Sequence, residues 1–235
     1  MGRRLPPSLL VVSPGVLTMG APGSAAAQEL ASFPVRAREA LVGGASGVLI
    51  REPHLEDGPF LWLARELRAL FDRDAAGAWL GVHDRVHLGA AAGADGVHLA
   101  GASLSVADAR SVLGEGVALG VSTHHGDTEE RWAGADYAMH APIFAPHSKE
   151  LESEPLGPAG LRAFCAQCPL PVWALGGVDP ARLPGLEGTG AAGAAAIGAV
   201  WGATGEEGQR SVEARVRSLT GVAARVFCPS PGVEP

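Results

Sequence analysis

An apolar run that ends in hydroxyls and imidazoles is an unusual strand end, and residues 120–125, Gly-Val-Ser-Thr-His-His, form one. Ser122, Thr123, His124 and His125 can donate and accept hydrogen bonds, and a histidine exchanges its proton near pH 7. Similar groups close other apolar runs. Arg51 and Glu52 follow one, and His83 and Asp84 another. His98 and His140 lie within two more, with His147 and Lys149 beyond the second. Of the eight histidines, six lie on or just after four successive runs, His54 follows an earlier one, and only His87 stands apart. Arginine and lysine suit an anionic ligand, aspartate a metal or proton, and histidine either proton transfer or ligand contact. Clustering of this kind points to one shared site.

A second signal is glycine. Ala-Leu-Gly-Gly-Val at 174–178 and Ala-Ile-Gly-Ala-Val at 196–200 end the last two apolar runs, each just before a helical stretch. Backbone amides that no side chain covers can hold a phosphate there. Gly176, Gly177, Ile197 and Gly198 are the expected phosphate-binding positions. The competing reason for glycine is a tight turn.

These groups need elements to position them. Eight short apolar runs read as buried parallel strands: 9–13, 47–52, 79–84, 96–100, 117–124, 137–144, 171–177 and 193–200. Helical patterns fill 26–42, 59–73, 105–113, 157–167 and 206–219. A phrase of Gly-Ala, a small or acidic residue and an apolar run recurs at 43–50, 91–99, 132–139 and 188–200. It reads as a helix-capping glycine feeding a buried strand. Eight such β/α pairs predict a single (β/α)8 TIM barrel, whose catalytic groups come from the carboxyl ends of the strands. A doubly wound open sheet is the alternative, without a Gly-x-Gly-x-x-Gly after the first strand to support it. One domain is expected over 1–227, with a Pro/Gly-rich tail at 228–235.

Bulk properties exclude several classes. With 47% hydrophobic and 18% charged residues the chain has a globular composition, not a disordered one. A net charge of −7 gives no footprint for nucleic acid. Three cysteines cannot pair evenly, which suits a reducing cytoplasm. Cys165 and Cys168 have half-site spacing but no second pair, so they read as incidental helix residues. The first residues imitate a signal peptide, yet Pro14 and Gly15 interrupt the apolar stretch, which reads better as a first strand. No run reaches the roughly 20 apolar residues of a membrane span.

In order along the chain, the segments Ile-Arg-Glu (50–52), His-Asp-Arg-Val (83–86), Gly-Ala-Asp-Gly-Val-His-Leu (93–99), Gly-Val-Ser-Thr-His (120–124), Gly-Ala-Asp-Tyr-Ala-Met-His-Ala-Pro-Ile-Phe (134–144) with Lys149, Pro-Val-Trp-Ala-Leu-Gly-Gly-Val (171–178) and Gly-Ala-Ala-Ala-Ile-Gly-Ala-Val (193–200) resemble the thiamine phosphate synthase/TenI family. The resemblance implies a (β/α)8 barrel. Its synthases join a pyrimidine methyl diphosphate to a thiazole phosphate and release pyrophosphate. Its TenI-like branch isomerises a thiazole carboxylate phosphate. Carried across, the resemblance implies that Arg51 and Lys149 contact diphosphate, Ser122 lies beside it, and Asp84 binds Mg2+. It also puts the thiazole phosphate on the backbone of Gly176, Gly177, Ile197 and Gly198. His124 falls where histidine is common in both branches, and His83 and His98 join the pocket. The implied ligands are a small phosphorylated thiazole and a pyrimidine diphosphate, with no nucleic acid or membrane partner; a homo-oligomer is compatible.

The chain also departs from that pattern. Leu49 and Pro53 stand where the synthases have glutamine and lysine, and His83 where they have asparagine. Ser103 replaces a second metal carboxylate, leaving Mg2+ with fewer ligands. The strand-6 histidine base of the TenI-like branch corresponds to Pro142, with His140 two residues earlier as a displaced base. Arg51, Asp84, Ser122 and Lys149 are nevertheless retained, so the resemblance implies a synthase, with a TenI-like tautomerase or a non-catalytic phosphate-binding barrel as the alternatives.

Overall fold

The computed structural model describes residues 2–145, 154–202 and 210–227. Lys149, His147 and the 228–235 tail lie outside the described residues. Eight strands alternate with helices: β1 (Leu9–Val12), α1 (Ala25–Val42), β2 (Gly47–Ile50), α2 (Asp57–Asp74), β3 (Trp79–His83), α3 (Val86–Ala91), β4 (Gly96–Leu99), α4 (Val106–Leu113), β5 (Ala118–Thr123), α5 (Glu129–Trp132), β6 (Tyr137–His140), α6 (Gly157–Gln167), β7 (Val172–Leu175), β8 (Gly193–Ala196), α7 (Gly198–Trp201) and α8 (Val212–Phe227). A 3-10 turn at Leu183–Leu186 replaces a helix between β7 and β8. The strands pair in parallel in sequence order, and β1 closes on β8. The expected barrel is therefore the observed one, and the open sheet is excluded.

Every strand falls inside its expected run. The runs overshoot most where apolar residues continue past the last paired one: β6 stops at His140 although residues 141–144 stay mostly apolar, and after β8 the apolar residues pass into α7. The final helix spans Val212–Phe227 rather than 206–219. Its buried stripe of Val212, Val216, Leu219 and Ala223 keeps helical spacing one turn past the expected end. The short helices α3, α5 and α7 have too few turns to show a period in sequence.

Strand alternation creates two cores. Outward residues such as Val11, Val48, Val82, Val121 and Ala138 meet the helices. Inward residues Leu10, Val12, Leu49, Trp79, Ala118, Tyr137, Met139, Trp173 and Ala195 fill the barrel. Three large rings share that interior because glycines on the strands give them room. A Cβ at Gly120 would come within 2.1 Å of the Tyr137 ring, and one at Gly81 within 2.3 Å of Trp79. Trp79 and Trp173 donate their indole N–H groups to the carbonyls of Arg4 and Pro7, at 2.9 and 2.8 Å, so the N-terminal segment is tied to these rings. The interior left free lies at the other, carboxyl end. No described helix is long and apolar enough to cross a membrane.

Candidate active site

A cavity of about 820 Å³ opens at the carboxyl ends of the strands. Arg51, His83, His98, Ser122 and His124 line it on one side, with Gly176, Gly177, Ile197 and Gly198 on the other. Period-two alternation explains the first set. Leu49 faces inward, so Arg51 does too. The same parity from Trp79 reaches His83, and from Ala118 it reaches Ser122. Val12, Leu49, Met139 and Leu175 supply apolar walls.

The rim is held by residues the sequence reading did not single out for this work. Glu52 is buried, and its carboxylate accepts the N–H groups of Gly15 at 2.9 Å and Leu17 at 2.8 Å. It thereby fixes the β1–α1 loop, which brings Val16 to the pocket. Ser13 Oγ accepts the backbone N–H of Arg51 at 2.8 Å. Gly15 takes φ +78°, and a Cβ there would stand 2.9 Å from the Arg51 guanidinium. Arg131 on α5 donates to the carbonyls of Ser122 at 2.9 Å and Ala100 at 2.8 Å, tying the ends of β4 and β5 together. Fixed partners of this kind hold a site in shape before a ligand arrives. Arg131 left no sequence signal, because α5 is a single turn.

Burial and Arg51 set the ionisation of the imidazoles. Desolvation, reinforced by the positive charge of Arg51, lowers His83 to about 4. Burial pushes His98 well below its ordinary value, with His83 and Arg131 adding to the effect. Both rings are therefore neutral at pH 7. His98 Nε2 lies 2.9 Å from Ser122 Oγ. His124 sits exposed at the mouth, its backbone N–H donated to the Asp127 carboxylate at 2.8 Å. His54, His87 and His125 are exposed and do not line the cavity.

Two of the expected site residues, His140 and Asp84, do not line the cavity. His140 does not face the cavity. With Tyr137 and Met139 inward, His140 points outward, stacks on Phe164 of α6 at 3.8 Å, and shares a hydrogen bond with Thr123 at 3.0 Å. Because the strand ends at His140, its side chain cannot stand in for one at Pro142. Asp84 is not among the cavity-lining residues. It takes φ +68°, and its carboxylate accepts the hydroxyl proton of Ser103. The residue that replaces the second carboxylate thus restrains the first. Among the described residues no group of three or more His, Cys, Asp or Glu side chains could hold a metal ion. One carboxylate fits Mg2+ only if phosphoryl oxygens and water complete the shell.

The glycines also separate into two kinds. Gly176 and Gly177 have φ +100° and +59°, and a Cβ at Gly177 would meet the Ala145 carbonyl at 2.5 Å. The fold itself demands glycine there. At Gly198 φ lies outside the left-handed region and a Cβ would meet nothing within 4 Å. The open space there belongs to the cavity, so a ligand gives the better reason for glycine at 198. Cys165 and Cys168 are free thiols on and just after α6, both raised by burial, Cys165 to about 11. Neither has thiolate character.

The family model described as thiamine monophosphate synthase matches residues 24–200. A thiamine-phosphate synthase of Moorella thermoacetica is 39% identical over 192 residues, 80% of this chain and 87% of that protein. One from Salinispora arenicola is 40% identical over 160 residues, covering 67% of this chain and 75% of that protein. Among solved structures, a thiamine phosphate pyrophosphorylase from Pyrococcus furiosus superposes with a TM-score of 0.74 at 24% identity. It covers 94% of this chain and 97% of its own, a likeness of fold.

Proposed function

The chain belongs to the thiamine monophosphate synthase family, and from that premise we propose that it joins a pyrimidine methyl diphosphate to a thiazole phosphate, releasing pyrophosphate. The observation that carries this reading is one cavity with two faces whose groups suit anions: Arg51 with Ser122, and the backbone at Ile197 and Gly198 opposite. In the reaction the carbon–oxygen bond to diphosphate breaks, and the thiazole nitrogen forms the new bond to the freed pyrimidine methylene carbon.

Arg51 and the Ser122 hydroxyl would stabilise charge growing on the departing diphosphate, where a low-dielectric wall strengthens each contact. Lys149 would supply a further cation. The backbone around Gly198 would hold the thiazole phosphate and so aim the ring nitrogen. Val12, Leu49, Met139 and Leu175 would keep water from the electron-poor pyrimidine carbon. Asp84 would hold a magnesium ion that arrives on the diphosphate; when bound, this ion neutralises part of the diphosphate charge. A cytoplasmic setting belongs to the same proposal, because Cys165 and Cys168 are free.

The tautomerase alternative lacks a base in the cavity at β6, since His140 is turned against Phe164. Titration calorimetry separates the readings. The synthase requires both thiazole phosphate and the pyrimidine diphosphate to bind, the second more tightly with Mg2+. Binding of thiazole phosphate alone would overturn it.

A further inference from the structure

His98 is 1% exposed, and its two ring nitrogens are treated unequally. Nε2 meets Ser122 Oγ at 2.9 Å, whereas Nδ1 has no hydrogen-bond partner among the described residues. A singly protonated imidazole has one N–H and one lone pair. A buried N–H without an acceptor is the costlier vacancy, and orphaned donors are rarer than under-satisfied acceptors. The proton therefore belongs on Nε2.

We propose that His98 is a positioning residue: it donates Nε2–H to Ser122 Oγ and so turns the Ser122 hydroxyl proton into the cavity, toward an acceptor-only group such as a phosphoryl oxygen. The opposite tautomer would consume the serine proton and present lone pairs that repel an oxyanion. Arg131 sets the backbone on both sides of the pair, through the carbonyls of Ser122 and Ala100. His98 thus gives Ser122 a single polarity and selects ligands by it, an inference that rests on the diphosphate reading of the cavity.

The first test needs no ligand. In protein labelled with 15N-histidine, the two-bond proton–nitrogen correlations of His98, assigned by their loss in His98→Gln, report which nitrogen is protonated. Protonation of Nε2 alone is expected; a proton on Nδ1 overturns the proposal. The second test is calorimetry with inorganic pyrophosphate. Ser122→Ala and His98→Leu should each weaken binding roughly tenfold, the worth of one hydrogen bond to a charged group. The double variant should lose little more than either single one. His98→Gln, whose amide nitrogen can donate in place of Nε2, should recover most of the loss. A folded His98→Leu protein that binds pyrophosphate as the wild type does, while Ser122→Ala does not, contradicts the proposal. If the wild type fails to bind pyrophosphate, the diphosphate reading falls, and the tautomer still decides the role of His98.

Discussion

Gly198→Ala should separate affinity from stability in opposite directions. The position starts the short helix α7, with backbone outside the left-handed region, and a Cβ there meets no atom within 4 Å. Alanine in place of a helical glycine gains up to about 0.5–1 kcal/mol. For a chain of this length that raises Tm by about 1–4 °C. The same methyl group enters the cavity beside the backbone assigned to the thiazole phosphate. Losing one hydrogen bond to a charged group costs about 1.5–3 kcal/mol. At about 1.4 kcal/mol per tenfold, thiazole phosphate should bind roughly 10–150-fold more weakly. Calorimetric titration and thermal melts on the same preparation read both effects. Wild-type affinity in Gly198→Ala would refute the placement of the phosphate. A fall in Tm together with affinity would refute the claim that this glycine serves the ligand rather than the fold.

Arg51→Lys should weaken pyrophosphate binding by roughly tenfold or more with little change in Tm, because an ammonium cannot reproduce a guanidinium fork; calorimetry and melting curves check both parts. His140→Ala should lower Tm by several degrees, since it removes a buried stack on Phe164 and a bond to Thr123, while KM and kcat stay within about threefold of wild type. A large loss of kcat at unchanged stability would restore His140 to the chemistry. Stability should fall as pH drops from about 6.5 toward 4. Burial lowers His140 and His83 to about 4 in the folded chain, His140 next to His124, Asp127 and His125 and His83 between Arg51 and Asp84. In that window the unfolded chain takes up protons that the folded one refuses, so acid favours unfolding. Denaturant titrations across pH should show this slope, and it should be shallower in His140→Asn.

Much of the barrel was legible because a buried parallel strand is a short continuous apolar run, and eight of them stand in the chain with helix-length spacing. Their places at the ends of successive runs, or within one, likewise point Arg51, His83, His98 and Ser122 to one rim, where they line the cavity. His140 is not legible in this way: the apolar residues through 144 hide the end of β6, and the inward faces of Tyr137 and Met139, visible only in the fold, turn His140 outward. Glu52 and Arg131 act through backbone groups on other elements, and nothing local to them in sequence names those partners. Asp84 and Ser103 are likewise joined only by the fold, which turns an apparent absence of a carboxylate into a contact with the remaining one. The glycines were visible, but only the space around each one distinguishes a turn at Gly177 from a ligand position at Gly198.

The most direct test of the central claim is turnover: purified protein, the pyrimidine methyl diphosphate, the thiazole phosphate and Mg2+, with thiamine phosphate and pyrophosphate measured together. Equimolar formation of the two products, lost in Arg51→Ala, is the predicted result. No thiamine phosphate from wild-type protein that binds both substrates would contradict the account.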